Sequence, residues 1–134
     1  MRLSILSLVA WLAWAQNATI DGPMLGYVYD SGSRSLRPIL GIAGSSSVGD
    51  PLALETPLDR AEISPRHDYA LAVAAETGEV LLVSLRGGAF AARPLAGLTA
   101  GPDRIVLSPG GRSAALYSAG RNRVQIVTGL PDKA

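Results

Sequence analysis

Laid against itself, the chain aligns residues 59–85 with residues 103–129 without a gap, each residue 44 positions from its counterpart. Eight of these positions are identical: Asp59 with Asp103, Arg60 with Arg104, Ser64 with Ser108, Pro65 with Pro109, Ala70 with Ala114, Ala75 with Ala119, Val80 with Val124 and Val83 with Val127. Composition alone would yield roughly two such matches in a chain this rich in alanine. A period of this size marks a supersecondary unit that cannot bury its apolar face alone and therefore stacks on its neighbours. The fold is confined to repeated, stacked units.

Each copy predicts three strands joined by tight turns. The first strand covers 61–64 and 105–108, the second 69–75 and 113–119, and the third, rich in β-branched residues, 80–85 and 124–128. Ser-Pro opens the first turn, where a fixed φ and a missing N–H cost nothing. The second turn is Glu76-Thr77-Gly78 in one copy and Gly120-Arg121-Asn122 in the other, with Gly and Asn able to take positive φ. A fourth strand is expected over 89–95, after Arg86-Gly87-Gly88. An earlier hairpin over 28–39, turning at Ser31-Gly32-Ser33, is matched through Arg37-Pro38 to Arg93-Pro94 and is therefore expected to be the last hairpin of a preceding unit. The strands are rich in Val, Leu and Ala and poor in charge, as strands covered on both faces are. The fold class is all-β, built of antiparallel four-stranded sheets packed side by side.

Ile63-Ser64-Pro65-Arg66-His67-Asp68-Tyr69-Ala70-Leu71-Ala72 and Leu107-Ser108-Pro109-Gly110-Gly111-Arg112-Ser113-Ala114-Ala115-Leu116 resemble the Ser-Pro-Asp-Gly-Arg first hairpin of WD40-like and TolB-like β-propeller repeats. The resemblance implies the four-stranded blades of a partial β-propeller. It implies little about activity, since propellers host lectins, hydrolases, dehydrogenases and passive scaffolds. Arg66 and Gly110 stand where that pattern has Asp, and the Trp-Asp dipeptide is missing. A propeller needs at least 4 blades of four strands, roughly 175 residues at this period. The chain holds about 2.5 units, entered and left mid-unit. That favours a segment of a longer propeller over ring closure by self-association through exposed blade faces. The expected division is a leader at 1–15, an extension at 16–24, the partial unit at 25–40, a Gly/Ser-rich connection at 41–58, a complete unit at 59–98 and an incomplete one at 99–134.

The leader is read from Arg2, the apolar run over 3–14 and the small residues Ala13 and Ala15 around Trp14, an A-x-A cleavage pattern. About a dozen apolar residues fall short of the roughly 20 that span a bilayer, so a cleaved signal-peptide helix is expected and no stable anchor. A secreted or bacterial periplasmic location follows. Loss of Arg2 leaves 11 basic against 11 acidic residues, which provides no electrostatic footprint for nucleic acid. The chain has no cysteine, which excludes a disulfide scaffold and a thiolate metal site.

Two groups of residues are candidate binding sites. Asp59-Arg60 and Asp103-Arg104 recur just before the first strand of each unit, the strand nearest a propeller's channel. They line one mouth of it, or they form ion pairs between neighbouring units, which repetition favours. Ser45, Ser46, Ser47 and Asp50 lie in a Gly/Ser-rich stretch that reads as an insertion between units, either a plain connection or a loop offering N–H groups to an anion. His67, the sole histidine, precedes Asp68, but adjacent side chains rarely face each other. Neither a Gly-x-Ser-x-Gly elbow nor a metal-ligand cluster occurs, so no catalytic residue, cofactor or metal is assigned. The expected function is an exported, non-catalytic module that binds a protein or small ligand. The alternative is the front part of a propeller enzyme, quinoprotein-like or peptidase-associated, with its active site elsewhere.

Overall fold

The computed structural model describes residues 22–88 and 90–134. The expected leader helix and residues 16–21 lie outside this range. Ten strands run along the described chain: β1 Met24–Asp30, β2 Ser35–Ile42, β3 Ser45–Val48, β4 Leu58–Ile63, β5 Tyr69–Ala74, β6 Val80–Ser84, β7 Ala91–Pro94, β8 Arg104–Leu107, β9 Ser113–Ser118 and β10 Arg123–Thr128. A 3-10 turn, Ala119–Arg121, precedes β10. The strands form three antiparallel sheets, β1-β2-β3, β4-β5-β6-β7 and β8-β9-β10. The described residues are all-β.

Register ties the sheets together more tightly than sequence identity does. In the three β-hairpins β1-β2, β5-β6 and β9-β10, Tyr29 pairs with Leu36, Val73 with Val80 and Tyr117 with Val124, successive pairs being 44 residues apart. The turn residues Arg34, Gly78 and Asn122 share that spacing, and all three have positive φ, at 51°, 73° and 44°. Each closes a four-residue connection (31–34, 75–78 and 119–122) at its last position, and Arg34 adopts this left-handed geometry despite its side chain. The β4-β5 and β8-β9 turns match as well: His67 and Gly111 both have positive φ, and their N–H groups bond the Ser64 and Ser108 carbonyls.

Two expectations are corrected by this register. The first hairpin is the counterpart of the middle hairpin β5-β6, not of the last one. Arg37-Pro38 and Arg93-Pro94 are 56 residues apart, a dipeptide coincidence that ladder pairing overrides. The stretch 41–58 is not one long connection, because residues 45–48 form β3 and pair with β2 from Ile39↔Val48 to Ile42↔Ser45. Gly41, with φ 118°, makes that pairing possible, since a Cβ there would collide with the Ser45 carbonyl oxygen.

The sheets stack face to face with the second in the middle. β5 is buried along its whole length. Its alternate residues serve opposite cores: Ala70, Ala72 and Ala74 join Leu58, Leu81 and Val83 against Tyr27 and Leu36, while Tyr69, Leu71 and Val73 join Val80 and Leu82 against Ile105, Ala114 and Leu116. Small residues on one face of β5 and large ones on the other let the second sheet receive the bulk of the first. Among the described residues no buried side-chain polar atom lacks a hydrogen-bond partner.

Burial of both faces has a measurable consequence. Leu71→Ala empties part of one core and is expected to cost about 2–5 kcal/mol. Ala72→Leu overfills the other and is expected to cost about 1–3 kcal/mol. Urea unfolding checks both, and a near-neutral result for either contradicts burial of that face.

Candidate functional site

The first strands of the sheets are edge strands, and β4 lies between β1 and β8, so the three run past one another along one side of the molecule. This brings the recurring Asp-Arg pairs together. Asp59 and Arg60 sit on β4, Arg104 opens β8 and Asp103 precedes it. A shallow groove of about 380 Å³ between the two strands is lined by Arg60, Glu62, Asp103 and Arg104 among others.

Each side chain in the row has a distinct task. The Arg60 guanidinium donates to its neighbour's carboxylate, with Nη2 3.2 Å from Asp59 Oδ2, and also to the Asp103 backbone carbonyl of the next sheet. The link between sheets is therefore charge to carbonyl, and the ion pair stays within one sheet. The Asp103 carboxylate accepts the Ala119 N–H at 2.6 Å. Tyr29 Oη, which the sequence did not single out, donates 2.8 Å to the Asp59 carbonyl and lies 3.0 Å from that of Leu58. Its hydroxyl is held above its ordinary range by burial first and by the Asp59 charge second. Tyr29 and Arg60 thus play the same part at successive sheet junctions. The exposed Arg104 makes no hydrogen bond or ion pair among the described residues, so its guanidinium is open to solvent.

The second candidate group lies elsewhere. Ser45, Ser46 and Ser47 are exposed on β3, at the opposite edge of the first sheet from β1. They border a depression of about 370 Å³ with Leu40 and Gly41, and Asp50 is exposed just beyond. The serines form a strand rather than a cradle of N–H groups, and the structure does not bring them to the Asp-Arg row.

A third cluster escaped the sequence reading. The β4-β5 turn is closed by Asp68 rather than by the residue at Arg66: Ser64 Oγ donates 2.5 Å to Asp68 Oδ1, and Arg86 Nη2 lies 2.7 Å from Oδ2. Both carboxylate oxygens are taken up in these contacts. In the other copy Arg112 holds the equivalent place, and Ser108 Oγ instead accepts the Arg112 and Ser113 N–H groups at 3.2 Å. The His67 ring packs over Gly26, where a Cβ would come within 2.8 Å of it.

Burial alone would raise the Asp68 carboxyl, but hydrogen bonds from Ser64, Arg86 and its own backbone N–H outweigh it and hold the pKa below the usual carboxylate range. A folded-state pKa depressed in this way contributes stability that is present above the unfolded value of about 3.9 and lost as pH falls through the folded value. Asp68→Asn is therefore expected to lower the melting temperature at pH 7 and to flatten its fall below pH 4. Thermal unfolding from pH 7 to 2 checks this, and an unchanged acid limb contradicts it.

Among the described residues no three His, Cys, Asp or Glu side chains converge as a metal site would require. Comparisons of the chain with protein-family models, curated proteins and solved structures gave no match.

Proposed function

We propose that this chain is an exported, non-catalytic repeat module of the β-propeller type that serves as a binding or scaffold protein. The observation that carries the proposal is the shared hairpin register of three face-to-face sheets at 44-residue spacing, the arrangement of stacked blades. The resemblance of 63–72 and 107–116 to propeller hairpins supports it independently.

The Asp-Arg row is the part of the module that meets a protein or small-ligand partner. Arg60 is occupied in joining two sheets, and Asp103 holds the turn before β10. The groups available to a partner are the exposed Asp59 carboxylate and the Arg104 guanidinium, which suit a polar partner carrying both donors and acceptors. Ser45, Ser46, Ser47 and Asp50 form a separate rim without charge convergence, and the same proposal gives them a secondary place.

Expression of the whole chain in a bacterium, followed by intact mass measurement of the periplasmic fraction, tests export. A species beginning at Gln16 is expected, and an uncleaved cytoplasmic chain contradicts it. The purified species is expected to turn over none of a panel of peptide, ester, glycoside and alcohol substrates. Turnover abolished by Ser64→Ala or His67→Ala would overturn the non-catalytic assignment.

A further inference from the structure

Every large exposed hydrophobic side chain among the described residues lies on the first or the third sheet. Met24, Leu25, Val28, Ile42 and Val48 belong to the first, and Val106, Tyr117, Val124 and Ile126 to the third. Ile126 is 64% exposed and Val28 38%.

On the first sheet Val28 and Val48 share the outer face with Arg37 and Ile39, whereas Met24 and Ile42 lie on the side of Leu36 and Leu40, and on the third sheet Val106, Tyr117, Val124 and Ile126 share one outer face. The register says what these two outer faces are built to meet. Val28 pairs with Arg37 as Ala72 pairs with Leu81 and Leu116 with Gln125. Ala72 and Leu116 are each buried against the preceding sheet. The open face of the first sheet is therefore the kind of face that elsewhere receives a predecessor. On the third sheet, Tyr117 and Val124 correspond to Val73 and Val80, and Ala115 and Ile126 to Leu71 and Leu82, the residues by which the second sheet covers its successor. One end of the molecule presents a receiving face and the other a covering face.

Polar groups repeat the same logic. Tyr117 holds the place of Tyr29, and Arg104 that of Arg60. Tyr29 and Arg60 each donate to a backbone carbonyl across a sheet junction. On the third sheet both donors face outward with no following sheet in this structure. On the first sheet the outward charges, Asp30 and Arg37, are paired with each other at 3.1 Å, so covering that face strands no single charge.

We infer that this chain binds a second copy of itself head to tail, the outer face of the third sheet of one copy stacking on the outer face of the first sheet of the next. Such a contact is heterologous, and it continues the two sheet junctions already present within one copy. The inference goes beyond the proposed function and requires neither export nor an outside partner.

Sedimentation velocity on the purified chain tests it, with Val28→Asp and Ile126→Asp as variants whose exposed positions leave the internal cores intact. Wild type is expected to form species larger than a monomer. Each variant alone is expected to be monomeric, because every contact needs one face of each kind. A mixture of the two is expected to give a one-to-one dimer and nothing larger, since only one intact pair of faces remains. A monomeric wild type, or a mixture that stays monomeric, overturns the inference. So does a Val28→Asp chain that still dimerises while Ile126→Asp does not, because that pattern means two like faces meet. Circular dichroism confirms that the variants are folded, and Val28→Thr with Ile126→Thr replaces them if either is not.

Discussion

The rest of the structure depends on the burial of the second sheet on both faces. A four-stranded sheet standing alone would leave two apolar faces in water, and the chain has no cysteine to hold it by other means. β5 meets this constraint by alternation: alanines face the first sheet and Tyr69, Leu71 and Val73 face the third. Because pleated strands send neighbouring side chains to opposite sides, a six-residue segment specifies two different interfaces at once. A one-residue slip in the β5-β6 register would exchange small for large on both sides and ruin both cores together.

Polar contacts finish what the apolar faces begin. Tyr29 and Arg60 reach backbone carbonyls that begin the neighbouring sheets, so each junction is tied along the β1-β4-β8 side as well as packed across its face. Tyr69 does the same at the opposite end of β5, its hydroxyl 2.8 Å from the Gly111 carbonyl in the neighbouring sheet. The Tyr69 bond joins groups that would otherwise be buried without partners, and its loss would cost more than its formation contributes, whereas the Tyr29 and Arg60 bonds to Asp59 and Asp103 lie at the exposed rim. The row of Asp59, Arg60, Asp103 and Arg104 thus has two natures. Part of it is consumed by the junctions, and what is left over faces solvent.

Much of the fold was legible in the sequence, and the reasons for the exceptions are physical. The Ser-Pro turns, the β-branched runs and the 44-residue spacing located seven strands to within a few residues, because turn chemistry and strand propensity agree there. β3 was hidden because Ser45, Ser46 and Ser47 have weak strand preference, and pairing with β2 decides their conformation. The first hairpin was misplaced because a shared Arg-Pro carried more apparent information than the silent positions Arg34, Gly78 and Asn122, which are united by backbone conformation and not by residue type. Of the candidate site, the recurrence of Asp-Arg was visible. The part of Tyr29 was not, since a tyrosine that anchors a junction looks like any core tyrosine. Asp68 was missed for a similar reason: it closes its turn from two positions past the one that the repeat pattern leads one to inspect.

Native-state hydrogen exchange resolved residue by residue measures the central claim most directly, namely that one sheet is buried between two equivalents of itself. Amides of β5 and β6 are predicted to exchange only through global unfolding, with those of β3 and β10 exchanging through smaller openings at the exposed sheets. Exchange of Leu71, Ala72 and Leu82 as fast as that of Ile126 would contradict the account.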